Sequence, residues 1–340
     1  MDPDSVRVDG ACPGIWRFCL PMPWPHIGHT NAYAIDRDDG GVVLVDCGPG
    51  GHHTTLEALD RALAMANRSI ADVRELVITH FHSDHMGAIA HVAQSSGCVV
   101  SGHPNHSHFF DAAREPERTF GERRALARDH GTPASWLDAA ASVAEETLGI
   151  DAPVEPSRPL VDGAEVESAL GRWEVIETPG HAPSQICLVQ RERRLLIVAD
   201  LVSKVFGSYA DLGYTPDPIG EYLTSLKRIG DLDAALALPG HGRPINDLAP
   251  VIALYQEGIN RRLRDVLGVL REGPRTAWDA ALALFGTQQS EAVTVWSFLE
   301  TVGYVQHLEL AGQVRRNKAG VFGATDLVAA HCGAGSSTKQ

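Results

Sequence analysis

Residues 80–85 read "HFHSDH", which puts three histidines and one aspartate in six positions. Imidazole nitrogens and carboxylate oxygens are the donors that zinc and similar ions take from a stiff scaffold. His80 and His82 are two residues apart, so an extended backbone points both the same way. Asp84 and His85 lie beyond the turn and can face a second ion next door. The competing reading is a polar loop that gathered histidines by chance, and the rarity of histidine opposes it.

Three further segments offer the same donor types. "VIETPGHAPSQ" sets His181 in a Pro/Gly turn after an apolar run, "LLIVADLVS" ends such a run on Asp200, and "LALPGHGRP" sets His241 in a second Pro-Gly-His turn. Singly, each has an ordinary explanation: a loop histidine, or an aspartate capping the next helix. Together they place ligand-type side chains at the carboxyl ends of successive β-runs, where open α/β architectures build their sites.

On these residues the chain resembles the metallo-β-lactamase superfamily. The resemblance rests on the H-x-H-x-D-H motif at 80–85 with the separated His181, Asp200 and His241, and it spans about 15–244. It implies an α/β fold, the αββα sandwich, with a two-metal site at the edge of its sheets. By that resemblance His80, His82 and His181 hold one divalent ion, Asp84, His85 and His241 hold the other, and Asp200 bridges both. Zinc is the expected metal, with manganese or iron as alternatives. Asp46, in "LVDCGPG", matches the family's aspartate after an early strand and would orient a ligating histidine. A turn-forming aspartate before Gly48 is the other reading. Two cations about 3.5–4 Å apart lower the pKa of a shared water and supply hydroxide at neutral pH. Asp84, in reach of both ion and water, is the catalytic candidate that orients the nucleophile or carries its proton. Cys47 and Cys187 read as packed strand residues rather than nucleophiles.

Within the family, β-lactamases lack the bridging aspartate matched here by Asp200, and flavo-diiron redox enzymes carry glutamate where His82 stands. The resemblance therefore points to glyoxalase-II-like hydrolases and thioesterases. The expected function is dinuclear metal-dependent hydrolysis of a small acyl substrate, a thioester or ester. The alternatives are a phosphodiesterase or endoribonuclease, a lactonase or a β-lactamase using the same metals, and a regulator with a relict metal domain. "YQEGINRRL" lacks the histidine pair that many members of this subgroup place before the arginine.

The elements that must position these donors follow from patterning. "GIWRFCL", "TNAYAID" and "GVVLVD" read as strands, with a turn at 38–41. A helix is expected over about 53–66, with Leu56, Leu59, Leu63 and Met65 as its stripe. "VRELVIT" and "CVVSG" are strands on either side of a helix that turns Ile89, Val92 and Ala93 inward. Residues 105–147 read as a helical insertion over the site. "WEVIET", "QICLVQ" and "RLLIVAD" resume the strands, and "GEYLTSLKRIG" is an amphipathic helix. Residues 1–250 thus form the catalytic domain. Residues 251–325 read as three helices and a hairpin, a winged-helix-like domain, with "YVQHLELAGQVRRNKAGVFGAT" as two strands about Gly312. Residues 326–340 form a loose tail. Trp24 in "PMPWPHIGHTN" and Tyr209 and Tyr214 in "SYADLGYTPDP" are the candidate substrate contacts. His26 and His29 are expected outside the ligand set.

Composition limits the partners. The chain has 340 residues and a formal net charge of −14, with 44% hydrophobic residues. Such acidity disfavours nucleic acid and anionic membranes. The region 256–340 carries nine Lys/Arg against eight Asp/Glu, too weak a footprint for a nucleic-acid module. It is expected to pack on the catalytic domain, shape the pocket or support a homodimer. Six scattered cysteines, no apolar run near 18 residues and an acidic N-terminus without an apolar core make a cytoplasmic enzyme the expectation.

Overall fold

Alternation along the strands sorts the side chains into layers. Successive residues of a strand point to opposite faces, and here both faces are apolar. Val43 and Val45 enter one core while Val42 and Leu44 enter another. A strand buried on both sides must lie inside a layered fold. The computed structural model describes residues 5–23, 28–137, 149–150, 152–286 and 291–325.

The first sheet has seven strands in sequence order: β1 (Arg7–Cys12), β2 (Ile15–Pro21), β3 (His29–Asp36), β4 (Val42–Val45), β5 (Val73–Ile78), β6 (Val99–Gly102) and β7 (Arg158–Pro159). It is antiparallel up to β4 and parallel from β4 onward. The second sheet contains β8 (Glu165–Ser168), β9 (Gly171–Glu177), β10 (Ile186–Gln190), β11 (Leu195–Ala199) and β12 (Leu236–Pro239), and runs in the order β12-β11-β10-β9-β8. Only its β11–β12 pair is parallel.

The two sheets face each other across Tyr33, Val45, Val77, Trp173, Leu188, Ile197 and their neighbours. Helices α1 (His53–Met65), α2 (Ser83–Met86) and α3 (Ile89–Ser96) lie on the first sheet's outer side. Helix α1 buries Ala58, Leu59, Ala62 and Leu63, whereas Met65, expected in the stripe, is half exposed. Helices α4 (Ser107–Arg114) and α5 (Pro116–Asp129) occupy the expected insertion. Residues 138–148 lie outside the described residues.

Helices α6 (Pro218–Gly230), α7 (Leu248–Glu272), α8 (Ala277–Phe285) and α9 (Glu291–Leu310) cover the second sheet, followed by the hairpin β13 (Val314–Arg316) and β14 (Phe322–Ala324). Together these layers form the αββα sandwich of the expected fold. One continuous core joins Cys187 and Val198 of the sheet to Tyr222, Ile259, Trp278, Val302 and Phe322. The expected strand beginning at Tyr304 is instead the end of α9. Val302, Val305 and Leu308 recur three residues apart and are all buried, so packing of a helical face overrides local β preference. The turn of the hairpin falls at 317–320, not at Gly312. The insertion also reaches this region: Trp278 N–H donates to His130 O at 3.1 Å, and the Trp136 and Trp278 rings lie 5.3 Å apart.

Candidate metal centre

The parallel pairs β4–β5 and β11–β12 end at the same edge of the sandwich. Asp46 follows β4, and Thr79 and His80 follow β5. Asp200 follows β11 and His241 follows β12. His181 sits in the turn after β9, which runs in the same direction as β11. Tyr33 O–H and Asn31 Nδ2 both donate to Pro239 O, at 2.7 and 2.8 Å, and tie the two sheets together at this edge.

The seven expected ligands fall into two groups: His80, His82 and His181, and Asp84, His85, Asp200 and His241, with donor atoms of each group all within 4.8 Å of one another. His82 Nδ1 lies 3.0 Å from His181 Nε2. Asp200 stands between the groups. Its Oδ2 is 3.1 Å from His241 Nε2 and 3.8 Å from His181 Nε2, and its Oδ1 is 3.4 Å from His85 Nε2. Asp84 Oδ2 is 3.2 Å from His241 Nε2 and 3.3 Å from His85 Nε2.

The opposite ring nitrogens are held by the protein. His85 Nδ1 donates to Asp46 Oδ2 at 2.9 Å. Thr79 O–H donates to the same Asp46 oxygen at 2.8 Å and is 3.1 Å from His80 Nδ1. Asp46 therefore orients one histidine directly and a second through Thr79. His241 Nδ1 donates to His29 O at 2.9 Å, so the first residue of β3 contributes a carbonyl rather than a ring. His181 Nδ1 donates to Tyr209 O at 3.2 Å. These bonds turn the free nitrogens toward the centre.

Backbone strain marks the same place. Asp46 (φ 60°) and Ala199 (φ 47°) adopt the left-handed region that side-chain-bearing residues avoid. Each sits where a strand is bent to deliver a carboxylate to the site.

The donor set fits divalent cations. His80 Nε2, His85 Nε2 and Asp200 Oδ1 are fully buried and have no hydrogen-bond partner. Buried polar atoms without partners are costly, and cations held by the two donor groups would satisfy them. Electrostatics agree. Burial holds the His80 imidazole well below its usual pKa, with the other histidines adding to the effect. Burial and the neighbouring His82 take His181 down to about 4. For His85 and His241, burial is outweighed by Asp84 and Asp200, which raise His85 well above the ordinary value and His241 to about 10. Burial opposes ionisation of Asp84 and Asp200 too, but their histidine partners hold both well below the usual carboxylate range. A cation can replace these protons and meet carboxylates that are already ionised.

Residues 27–241 match the family model Lactamase_B, described as the metallo-beta-lactamase superfamily. The chain belongs to this superfamily. It is 26% identical over 299 residues to the probable metallo-hydrolase YqjP of Bacillus subtilis, covering 85% of this chain and 90% of that one. It is 24% identical over 301 residues to an atrochrysone carboxyl ACP thioesterase of Aspergillus fumigatus, covering 86% and 74%. The crystal structure of the metallo-beta-lactamase family protein TTHA1429 from Thermus thermophilus superposes with a TM-score of 0.78 at 29% identity, over 93% of this chain and all of that one. The chain is a metallo-hydrolase of this superfamily, and none of its described helices is long and apolar enough to cross a membrane.

Two residues around this superfamily site carry no strand-end signature. Asp211 Oδ2 accepts from His82 Nε2 at 2.9 Å, and its Oδ1 accepts from Tyr209 O–H at 3.0 Å. His108 Nε2 lies 3.5 Å from Asp211 Oδ2. Burial disfavours the Asp211 carboxylate, yet His82 and its hydrogen bond hold it below the usual range. Asp211 N–H also donates to His181 O at 3.0 Å, so one short segment fixes two members of the histidine trio. The clustered histidines of "HPNHSHFF" and the single carboxylate in "SYADLG" were the available signals. Tyr209 packs edge-on to His82 and His181, whereas Tyr214 O–H donates to His108 O at 2.8 Å. Trp24 and His26 lie outside the described residues. Cys47 and Cys187 are fully buried, and burial raises the Cys187 thiol to about 12, far from a nucleophile's range.

Proposed function

We propose that the protein is a dinuclear metal-dependent hydrolase of a small acyl substrate, a thioester or ester. The observation that carries this reading is the pair of donor groups with Asp200 between them, in which buried atoms of His80, His85 and Asp200 have no hydrogen-bond partner. His80, His82 and His181 would hold one ion, Asp84, His85 and His241 the second, and Asp200 would touch both. Bound there, zinc, or manganese or iron in its place, would supply Lewis acidity and a water acidified toward neutral pH.

The chain's own residues do the rest. Asp84 is ionised and 14% of its side chain is exposed, so its carboxylate can accept a hydrogen bond from an attacking water and orient it. Asp46, Asp211 and three backbone or hydroxyl oxygens keep the imidazoles from turning as charge develops. The similarity to an ACP thioesterase favours the acyl substrate. Net charge of −14 argues against a nucleic-acid substrate. We read residues 251–325 as a winged-helix-like unit that supports the site rather than binding nucleic acid.

The test is a panel of acyl thioesters, esters, lactones, a β-lactam, an activated phosphodiester and single-stranded RNA. It is run on the zinc-loaded protein and again after chelation. Metal-dependent thioester or ester hydrolysis is expected. Cleavage of RNA or phosphodiester alone overturns the acyl reading.

A further inference from the structure

Helix α9 presents one stripe, Trp296, Glu300 and Tyr304, to the loop that follows β11. This is the i, i+4, i+8 spacing of a single helix face. Two of the three contacts are polar and sheltered. Ser208 Oγ donates to Glu300 Oε1 at 2.7 Å and lies 2.6 Å from Tyr304 Oη. Those bonds fix the backbone next to Tyr209. The third contact is apolar: the Trp296 ring lies 4.8 Å from the Tyr209 ring, tilted by 49°.

Tyr209 is the link to the metal centre. Its ring stands edge-on to His82 at 5.9 Å and to His181 at 5.7 Å, and its hydroxyl is committed to Asp211. With the hydroxyl held, the ring offers only apolar surface. Trp296 extends that surface outward and is 50% exposed. Imidazoles, tyrosine and indole thus form one unbroken aromatic row from the reacting centre to the solvent. Val205, on the same loop, is 78% exposed.

We propose that Tyr209 and Trp296 form a ledge that receives the acyl portion of the substrate and makes the enzyme select aromatic or extended aliphatic acyl groups over acetyl. This rests on the acyl-hydrolase reading above and adds the substrate class to it. With the acyl carbon at the metal centre, a tail that leaves past His82 and His181 would meet this row. Each methylene laid on such a surface improves binding by up to about fourfold. The C-terminal region is then part of the specificity apparatus.

The experiment measures kcat/KM for acetyl, hexanoyl, octanoyl and benzoyl thioesters with the zinc-loaded wild type, Trp296→Ala and Trp296→Phe. The ratio of octanoyl to acetyl is expected to fall on the order of tenfold in Trp296→Ala, mainly through KM, and to recover in Trp296→Phe. An unchanged ratio in a variant that binds the wild-type amount of zinc overturns the ledge. If the wild type cleaves no thioester or ester, the acyl reading fails separately. Calorimetric binding of acetate, octanoate and benzoate to the same proteins then decides the ledge. Octanoate binding that weakens with Trp296→Ala supports it, and equal binding by wild type and variant overturns it.

Discussion

Replacing Gly240 with alanine should damage the candidate metal centre without substituting any of its donors. A Cβ at this position would stand 2.0 Å from Asp200 Oδ1 and 2.6 Å from His85 Cε1. Non-bonded carbon and oxygen keep about 3 Å or more apart, so one partner must move by on the order of 1 Å. The backbone cannot yield easily. Gly240 N–H donates to Ala199 O at 2.8 Å, and Gly240 O accepts from Asn31 N–H at 2.7 Å. Gly240 is absent from the left-handed region, so alanine brings no dihedral penalty and the effect is steric. The carboxylate that touches both donor groups is therefore displaced. Overpacking of this kind costs about 1–3 kcal/mol of stability. Misplacing a ligand's support lowers metal affinity about 10- to 100-fold. Zinc competition against a fluorescent chelator, with thermal melts of the metal-free proteins, measures both quantities. A Gly240→Ala protein that holds zinc within twofold of wild type would refute the steric reasoning.

Other expectations follow from the same geometry. Asp211→Ala should weaken the zinc held by the histidine trio by about 10- to 100-fold, with Asp211→Asn intermediate; equal affinity in chelator competition would remove Asp211 from its orienting role. Stability of the metal-free protein should depend on pH in both directions. His241, raised to about 10 by Asp200 and Asp84 against burial, keeps a proton that the unfolded chain releases near 6.5. Its stabilisation is therefore complete below pH 6.5 and declines as pH rises toward 10, by at most about 1.4 kcal/mol per pH unit. His181, lowered to about 4 by burial and His82, refuses a proton that the unfolded chain takes, so its contribution weakens as pH falls from 6.5 to 4. Urea unfolding of chelator-treated protein across pH 4.5–9.5 checks both slopes, and a flat profile would contradict them.

The candidate donors were legible because their signal is local. His80, His181, Asp200 and His241 each follow an apolar strand, and the chemistry of a donor just past a strand end can be read without knowing the partner strand. Helix α1 and the layered α/β order were legible for the same reason, since periodicity reports burial directly, whereas the αββα sandwich came from the family resemblance. Asp211 was hidden because it lies in a loop whose course is set by α9, through Ser208, Glu300 and Tyr304. The orienting carbonyls of His29 and Tyr209 were hidden too, since a backbone oxygen leaves no mark in the residue type. The segment beginning at Tyr304 misled because Tyr304 and Val305 favour strands, while the core it meets demands a helix. Trp296 lay in a helix that was expected, but its approach to Tyr209 is purely tertiary.

Two donor groups that each hold a divalent ion can be counted by elemental analysis of zinc-reconstituted wild type and His82→Ala, paired with thioester turnover. The expected result is two ions per wild-type chain, with the variant retaining about one ion, that of the Asp84, His85 and His241 group, and losing turnover. Wild-type protein that binds no zinc, or a His82→Ala protein with unchanged zinc and turnover, would contradict it.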